Sequence, residues 1–130
     1  MYQDALLAHY RAPQNRRVLV DATASGRRRN PLCGDEIVVE LRVADGVILD
    51  AGFGGRGCSI ATASASMLSA AVVGKTRGDA IHLADAVDAM LRGEPAAMPP
   101  ELEPLRGVAP FPARHGCVTM PWAALREALG

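Results

Sequence analysis

The sequence predicts a single α+β domain spanning 1–130, built from one β-hairpin set among amphipathic helices. Three observations carry this. Residues 36–54 alternate apolar and polar side chains and are interrupted at Asp45-Gly46. Residues 58–73, 77–92 and 113–129 repeat their apolar side chains at helical spacing. At 130 residues the chain can also bury a core of its own, without leaning on metal or disulfides for all its stability.

Taken in order, residues 2–11 form a short helix with Tyr2, Leu6 and Tyr10 on one face, stopped by Pro13. His9 in this helix reads as a packing residue. Val18, Val20 and Ala22 alternate and allow a first, edge strand, and the run Arg27-Arg28-Arg29 suits an exposed edge. In the hairpin, Ile37, Val39, Leu41 and Val43 face one way. A three-residue loop, Ala44-Asp45-Gly46, would set them opposite Phe53, Ala51, Leu49 and Val47 and put glycine where positive φ is needed. Gly54-Gly55-Arg56-Gly57 reads as a tight strand-to-helix corner. It matches neither the Walker lysine pattern nor a full dinucleotide fingerprint. The helix after it is rich in small residues, with Ile60, Ala63, Met67 and Ala71 as its stripe and Gly74 as its stop. The helix over 77–92 turns Ala80, Leu83, Ala84, Val87, Met90 and Leu91 to one side and leaves His82 and Asp88 to solvent. Residues 93–112 are proline-rich, a stiff connection with room for a helical turn near Leu102–Leu105. In the last helix Val118, Trp122, Leu125 and Leu129 form the stripe, and Pro121 fits its first turn.

The charge balance, 14 basic against 14 acidic residues, argues against a broad nucleic-acid footprint. The arginines are uneven: Arg16, Arg17, Arg27, Arg28 and Arg29 all precede Cys33, either as a solvated loop or as a docking patch for an acidic partner. The start lacks the basic and apolar regions of a signal peptide, and no apolar run nears the roughly 20 residues of a membrane span. A cytoplasmic protein is expected. Three cysteines fit a disulfide framework poorly. In a reducing compartment, such thiols serve as metal ligands or as reactive groups.

The chemistry gathers at four side chains: Cys33, Asp35, Cys58 and Cys117. Cys33-Gly34-Asp35 puts a thiol and a carboxylate two residues apart in extended chain, where both can face one side. Cys58 starts a helix, where free amides and the dipole favour a thiolate. Cys117 follows Gly116 near another helix start. Three thiolates and a carboxylate satisfy tetrahedral zinc, although no Cys-x-x-Cys occurs, and free thiols remain the other reading. Such a site carries net negative charge, which Arg56 and Arg114, close in sequence to Cys58 and Cys117, are placed to offset. His115 reads as a bystander or as a group orienting a ligand. A cysteine hydrolase using Cys117 and His115 is disfavoured, because residues two apart rarely give nucleophile–base geometry.

These residues resemble a known family. Asn30-Pro31-Leu32-Cys33-Gly34-Asp35, Gly55-Arg56-Gly57-Cys58-Ser59-Ile60-Ala61-Thr62-Ala63-Ser64-Ala65-Ser66-Met67 and Pro112-Ala113-Arg114-His115-Gly116-Cys117 fall in the order and spacing of the U-type proteins of iron–sulfur cluster biogenesis, the IscU/NifU/SufU-like family. The opening Tyr2 and His9-Tyr10-Arg11-Ala12-Pro13 fits as well. Scaffolds of this family carry a ligand histidine immediately before the last cysteine. Here that position is Gly116, and a long proline-rich connection precedes it, as in the SufU-type sulfurtransferases. At His115 and Gly116 the chain departs from the usual SufU pattern.

The resemblance implies a small antiparallel sheet, of about three strands, covered on one face by helices. It implies zinc held by Cys33, Asp35, Cys58 and Cys117, with Arg114, Arg56 and Tyr2 as supporting or partner-binding residues. It also implies a sulfurtransferase role, in which a SufS-type cysteine desulfurase hands persulfide sulfur to Cys33 and Suf scaffold proteins lie downstream. No nucleic acid or membrane is expected as a partner. The alternatives are a scaffold holding a transient iron–sulfur cluster, and a structural zinc module without thiol chemistry.

Overall fold

A computed structural model describes residues 2–31 and 34–130, Tyr2 by its backbone alone. The element order is α1 (Tyr2–Arg11), β1 (Ala24–Arg29), β2 (Glu36–Ala44), β3 (Val47–Arg56), α2 (Ser59–Val72), α3 (Arg77–Leu91) and α4 (His115–Leu129), with 3-10 turns at Glu103–Val108 and Pro112–Arg114. The strands form one antiparallel sheet in the order β1-β2-β3. Ile37, Val39, Leu41, Ile48, Ala51 and Phe53 bury one face of it under the helices. The α+β expectation holds, with helices massed on a single face.

The first strand is the arginine run itself, not the Val18–Ala22 segment. Val18 and Val20 are 79% and 98% exposed, and only Leu19 between them turns inward. A strand over 24–29 works because Gly26, opposite Val39, lets α4 approach: a Cβ there would stand 1.9 Å from the Ala124 carbonyl oxygen. Arg28 reaches across to Glu127 of α4, while Arg27 and Arg29 take the other face.

The hairpin also differs from the sequence expectation. Its loop has two residues, Asp45 at φ 53° and Gly46 at φ 75°, joining Ala44 to Val47. Positive φ at both central positions is the backbone twist that two-residue hairpins prefer. Val43 then pairs with Ile48, but Arg42 pairs with Asp50, so Leu49 is an extra residue in β3. This bulge, rather than a longer loop, brings the two apolar faces together. Ile48 is fully buried and Leu49 is 41% exposed.

β3 runs on through the glycine corner to Arg56. Gly55 tolerates this because its φ is 104° and a Cβ would lie 2.1 Å from the Glu36 carbonyl oxygen. The following α2 is buried nearly all round, including Thr62, Ser64, Ser66 and Ser69. Its hydroxyls bind neighbouring segments. Ser64 donates to the Val118 carbonyl at 2.8 Å, and Ser69 to the Gln14 carbonyl at 3.1 Å. His9 Nδ1 and the Gln14 amide both lie against the Ser66 hydroxyl, at 2.7 and 2.8 Å, which fixes α1 on α2.

The proline-rich connection is not merely a surface spacer, since Leu102, Leu105 and Val108 enter the core. Asp88 is not left to water either: Arg126 bonds it at 3.0 Å, and Asp85 at 2.9 Å. Pro121 lies well inside α4, not in its first turn. Having no N–H, it leaves the Cys117 carbonyl without its helical donor. No helix among the described residues is long and apolar enough to cross a membrane.

Candidate metal and thiol site

Three segments meet at the end of the sheet where β2 begins and β3 finishes. The first is the loop between β1 and β2. Its base is closed by backbone bonds from Asn30 N to Asp35 O (2.7 Å) and from Gly34 N to Asn30 O (2.8 Å), with Gly34 at φ 77°. Cys33, the expected sulfur acceptor and ligand, belongs to this loop but lies outside the described residues, as does the side chain of Tyr2.

The second segment is the start of α2. Cys58 caps this helix: its backbone is extended, and its sulfur accepts from Ala61 N at 3.5 Å. Its own amide donates to Asp35 Oδ2 at 3.2 Å. The thiol and the carboxylate are thus joined through main chain, and the β1–β2 loop is tied to α2. Gly57 permits the tight approach, as a Cβ there would press on Ala61 and Ile37.

The third segment is the first turn of α4, which carries Cys117. Burial pushes the Cys117 thiol up to about 11, assisted by the neighbouring Cys58 thiol and the Asp35 carboxylate, while Arg114 opposes the shift. Cys58, Cys117 and Asp35 therefore share one electrostatic neighbourhood, with Arg114 at its edge. Packing three acidic groups together is uphill unless protons or a cation neutralise them.

As a donor set, two soft sulfurs and a carboxylate, joined by a third cysteine two residues from the carboxylate, fit zinc. Among the described residues, no three His, Cys, Asp or Glu side chains already form a closed metal-binding group.

The remaining expected residues divide. Arg114 stands beside Cys117. Arg56 is exposed and pairs in register with Glu36 across the sheet. His115 is committed elsewhere: its Nε2 donates to the Ala109 carbonyl at 2.9 Å, holding the 3-10 segment to α4. Asn30 was not anticipated as part of the site. An Asn-Pro pair marks a turn, but a main-chain clamp on the residue five positions later leaves no periodic trace. A groove of about 410 Å³, lined by Leu6, Tyr10, Ile60, Val108 and Phe111, flanks the Cys58 end.

Comparison with known proteins places the chain among relatives of one family. An iron–sulfur cluster assembly scaffold protein IscU from Streptococcus pyogenes serotype M1 is 38% identical over 99% of this chain and 82% of its own length. The zinc-dependent sulfurtransferase SufU of Bacillus subtilis is 35% identical over 98% of this chain and 88% of its own length. A crystal structure titled as a putative iron–sulfur cluster assembly scaffold protein for the SUF system, from Fervidobacterium islandicum AW-1, superposes with a TM-score of 0.90. It covers 98% of this chain and 95% of its own at 24% identity, a likeness of fold. The three-stranded sheet under helices, the three cysteine-bearing segments and a match to the family described as "NifU-like N terminal domain" over residues 1–126 lead to one conclusion: the chain belongs to the NifU-like N-terminal domain family, alongside proteins named IscU and SufU.

Proposed function

We propose that the chain is a sulfur acceptor in cytoplasmic iron–sulfur cluster biogenesis. It takes persulfide sulfur from a SufS-type cysteine desulfurase onto Cys33, and zinc is held by Cys33, Asp35, Cys58 and Cys117. The observation that favours this over a cluster scaffold is at the start of α4. The position before Cys117 is Gly116, without a side chain, and the adjacent His115 is bonded to the Ala109 carbonyl. The extra ligand that the scaffold branch places there has no counterpart.

In the transfer, a Cys33 thiolate attacks the outer sulfur of the donor persulfide. A new S–S bond forms on Cys33, the donor's S–S bond breaks, and the donor cysteine leaves as a thiolate. Nothing is oxidised or reduced overall. Zinc, when bound, would keep such thiols deprotonated at neutral pH. The chain supplies the rest. Cys33 belongs in sequence to the loop whose base Asn30, Gly34 and Asp35 close, whereas Cys58 and Cys117 stand half-buried at helix starts. Asp35 is anchored on the Cys58 amide, and the Arg114 cation offsets charge near Cys117.

Sulfur from labelled cysteine, passed through the desulfurase, should appear on the wild-type chain and fall to background on Cys33→Ala. Undiminished labelling of that variant would overturn the assignment. Metal analysis should return about one zinc per chain.

A second reading, the cluster scaffold, is favoured by the relatives named IscU, which match as well as the sulfurtransferase does. Anaerobic reconstitution yielding a stable, transferable cluster would select it.

A further inference from the structure

The solvent face of the sheet has a charge distribution that the thiol chemistry does not use. At the hairpin end its charges are matched. Arg17 pairs with Asp50 at 2.7 Å, Arg42 with Asp21 at 3.0 Å, and Glu40 accepts from the Leu19 amide at 3.1 Å. At the thiol end they are not. Arg29, Glu36 and Arg56 stand in one row across the three strands. Arg27 reaches the same Glu36 at 3.8 Å, and Arg16, from the segment bridged to the outer edge of β3 at Phe53, donates to the Gly55 carbonyl at 3.2 Å. Four arginines therefore gather at this end of the sheet with one carboxylate, Glu36, among them, because Asp35 bonds inward to the Cys58 amide. All four arginines are exposed.

A chain with no net charge has concentrated cations beside its reactive loop, at the cost of mutual repulsion that a partner would relieve. We propose that this face is the docking surface for an acidic patch on the sulfur-donating desulfurase. The assignment rests on the function proposed above, which requires such a donor to reach the same end of the molecule. The pattern suits a protein better than a polyanion. Adjacent strands are about 4.8 Å apart, so the row is short, and Glu36 at its centre would repel a continuous phosphate backbone. A protein surface offers discrete carboxylates and a cation for Glu36.

The test measures binding of a pyridoxal-phosphate cysteine desulfurase to the wild-type chain from about 50 to about 400 mM salt, with acceleration of its turnover as a second readout. The wild type should bind more weakly as salt rises. R27E/R29E should bind at least about tenfold more weakly at low salt, with a flatter salt dependence. E36Q should bind more tightly, a gain that a misfolded variant cannot show. If the wild type binds and accelerates the desulfurase while R27E/R29E keeps its affinity and salt slope, the docking surface is wrong and the proposed function stands. If the wild type neither binds nor accelerates it at any salt, the proposed function fails and the docking fails with it. If R27E/R29E loses binding only to single-stranded nucleic acid or to phosphatidylglycerol vesicles, the face serves a polyanion and the proposal is overturned.

Discussion

At the level of single residues, the thiol site was legible where chemistry and glycine coincide. Cys58, Cys117 and Asp35 were each picked out beside a glycine, and the fold brings them into one neighbourhood. His115 was less legible because its partner is a main-chain carbonyl, which any residue at 109 would provide. Gly26 was not singled out at all. Its role depends on α4, almost a hundred residues away, and no local pattern announces a close approach. Gly26→Ala should cost about 3 kcal/mol or more, since the added methyl meets backbone that cannot rotate aside. Denaturant unfolding would measure it, and a loss near zero would mean that β1 and α4 sit farther apart. Ser64→Ala should cost about 1 to 2 kcal/mol, because the Val118 carbonyl loses a buried donor beside the one already vacated at Cys117. Equal thermal midpoints for Ser64→Ala and wild type would dismiss that bond as a contributor.

Among the elements, helix existence followed from periodicity, and every predicted helix is present. The failures came where tertiary pairing decides. The hairpin's apolar count could be reconciled by a longer loop or by a bulge. The bulge shifts every pair, setting Leu41 opposite Ala51 and Val39 opposite Phe53, and it buries Ile48 in place of Leu49. The arginine run became a strand because α4 covers its other face, although its composition suggests a loop. Docking of α1 brings a pH dependence. Burial holds His9 below its ordinary value of 6.5. The unfolded chain then takes up its proton first as pH falls. The contribution is complete above about pH 6.5 and is lost as pH drops through the folded value. Between about pH 8 and about pH 5.5, the thermal midpoint of the wild type should fall further than that of His9→Gln. Parallel curves would show that His9 docks without regard to its charge.

For the molecule as a whole, composition gave neutrality but not its arrangement. Equal counts of Arg/Lys and Asp/Glu say nothing of which end of a sheet each occupies, and the separation emerges only from strand register. A neutral molecule with its charges parted is a dipole, so its salt-dependent association should persist even near its isoelectric point. A charge-scrambled variant of the same net charge that kept the salt slope would contradict this. The way the site is assembled has one more consequence, in time rather than space. Its three segments emerge from the ribosome far apart, and α4, bearing Cys117, comes last. Until that helix has packed over Gly26, Cys58 has no Cys117 beside it, and a nascent chain exposes it as an ordinary cysteine. A chain truncated after Arg114 should be alkylated at Cys58 far faster than the full chain.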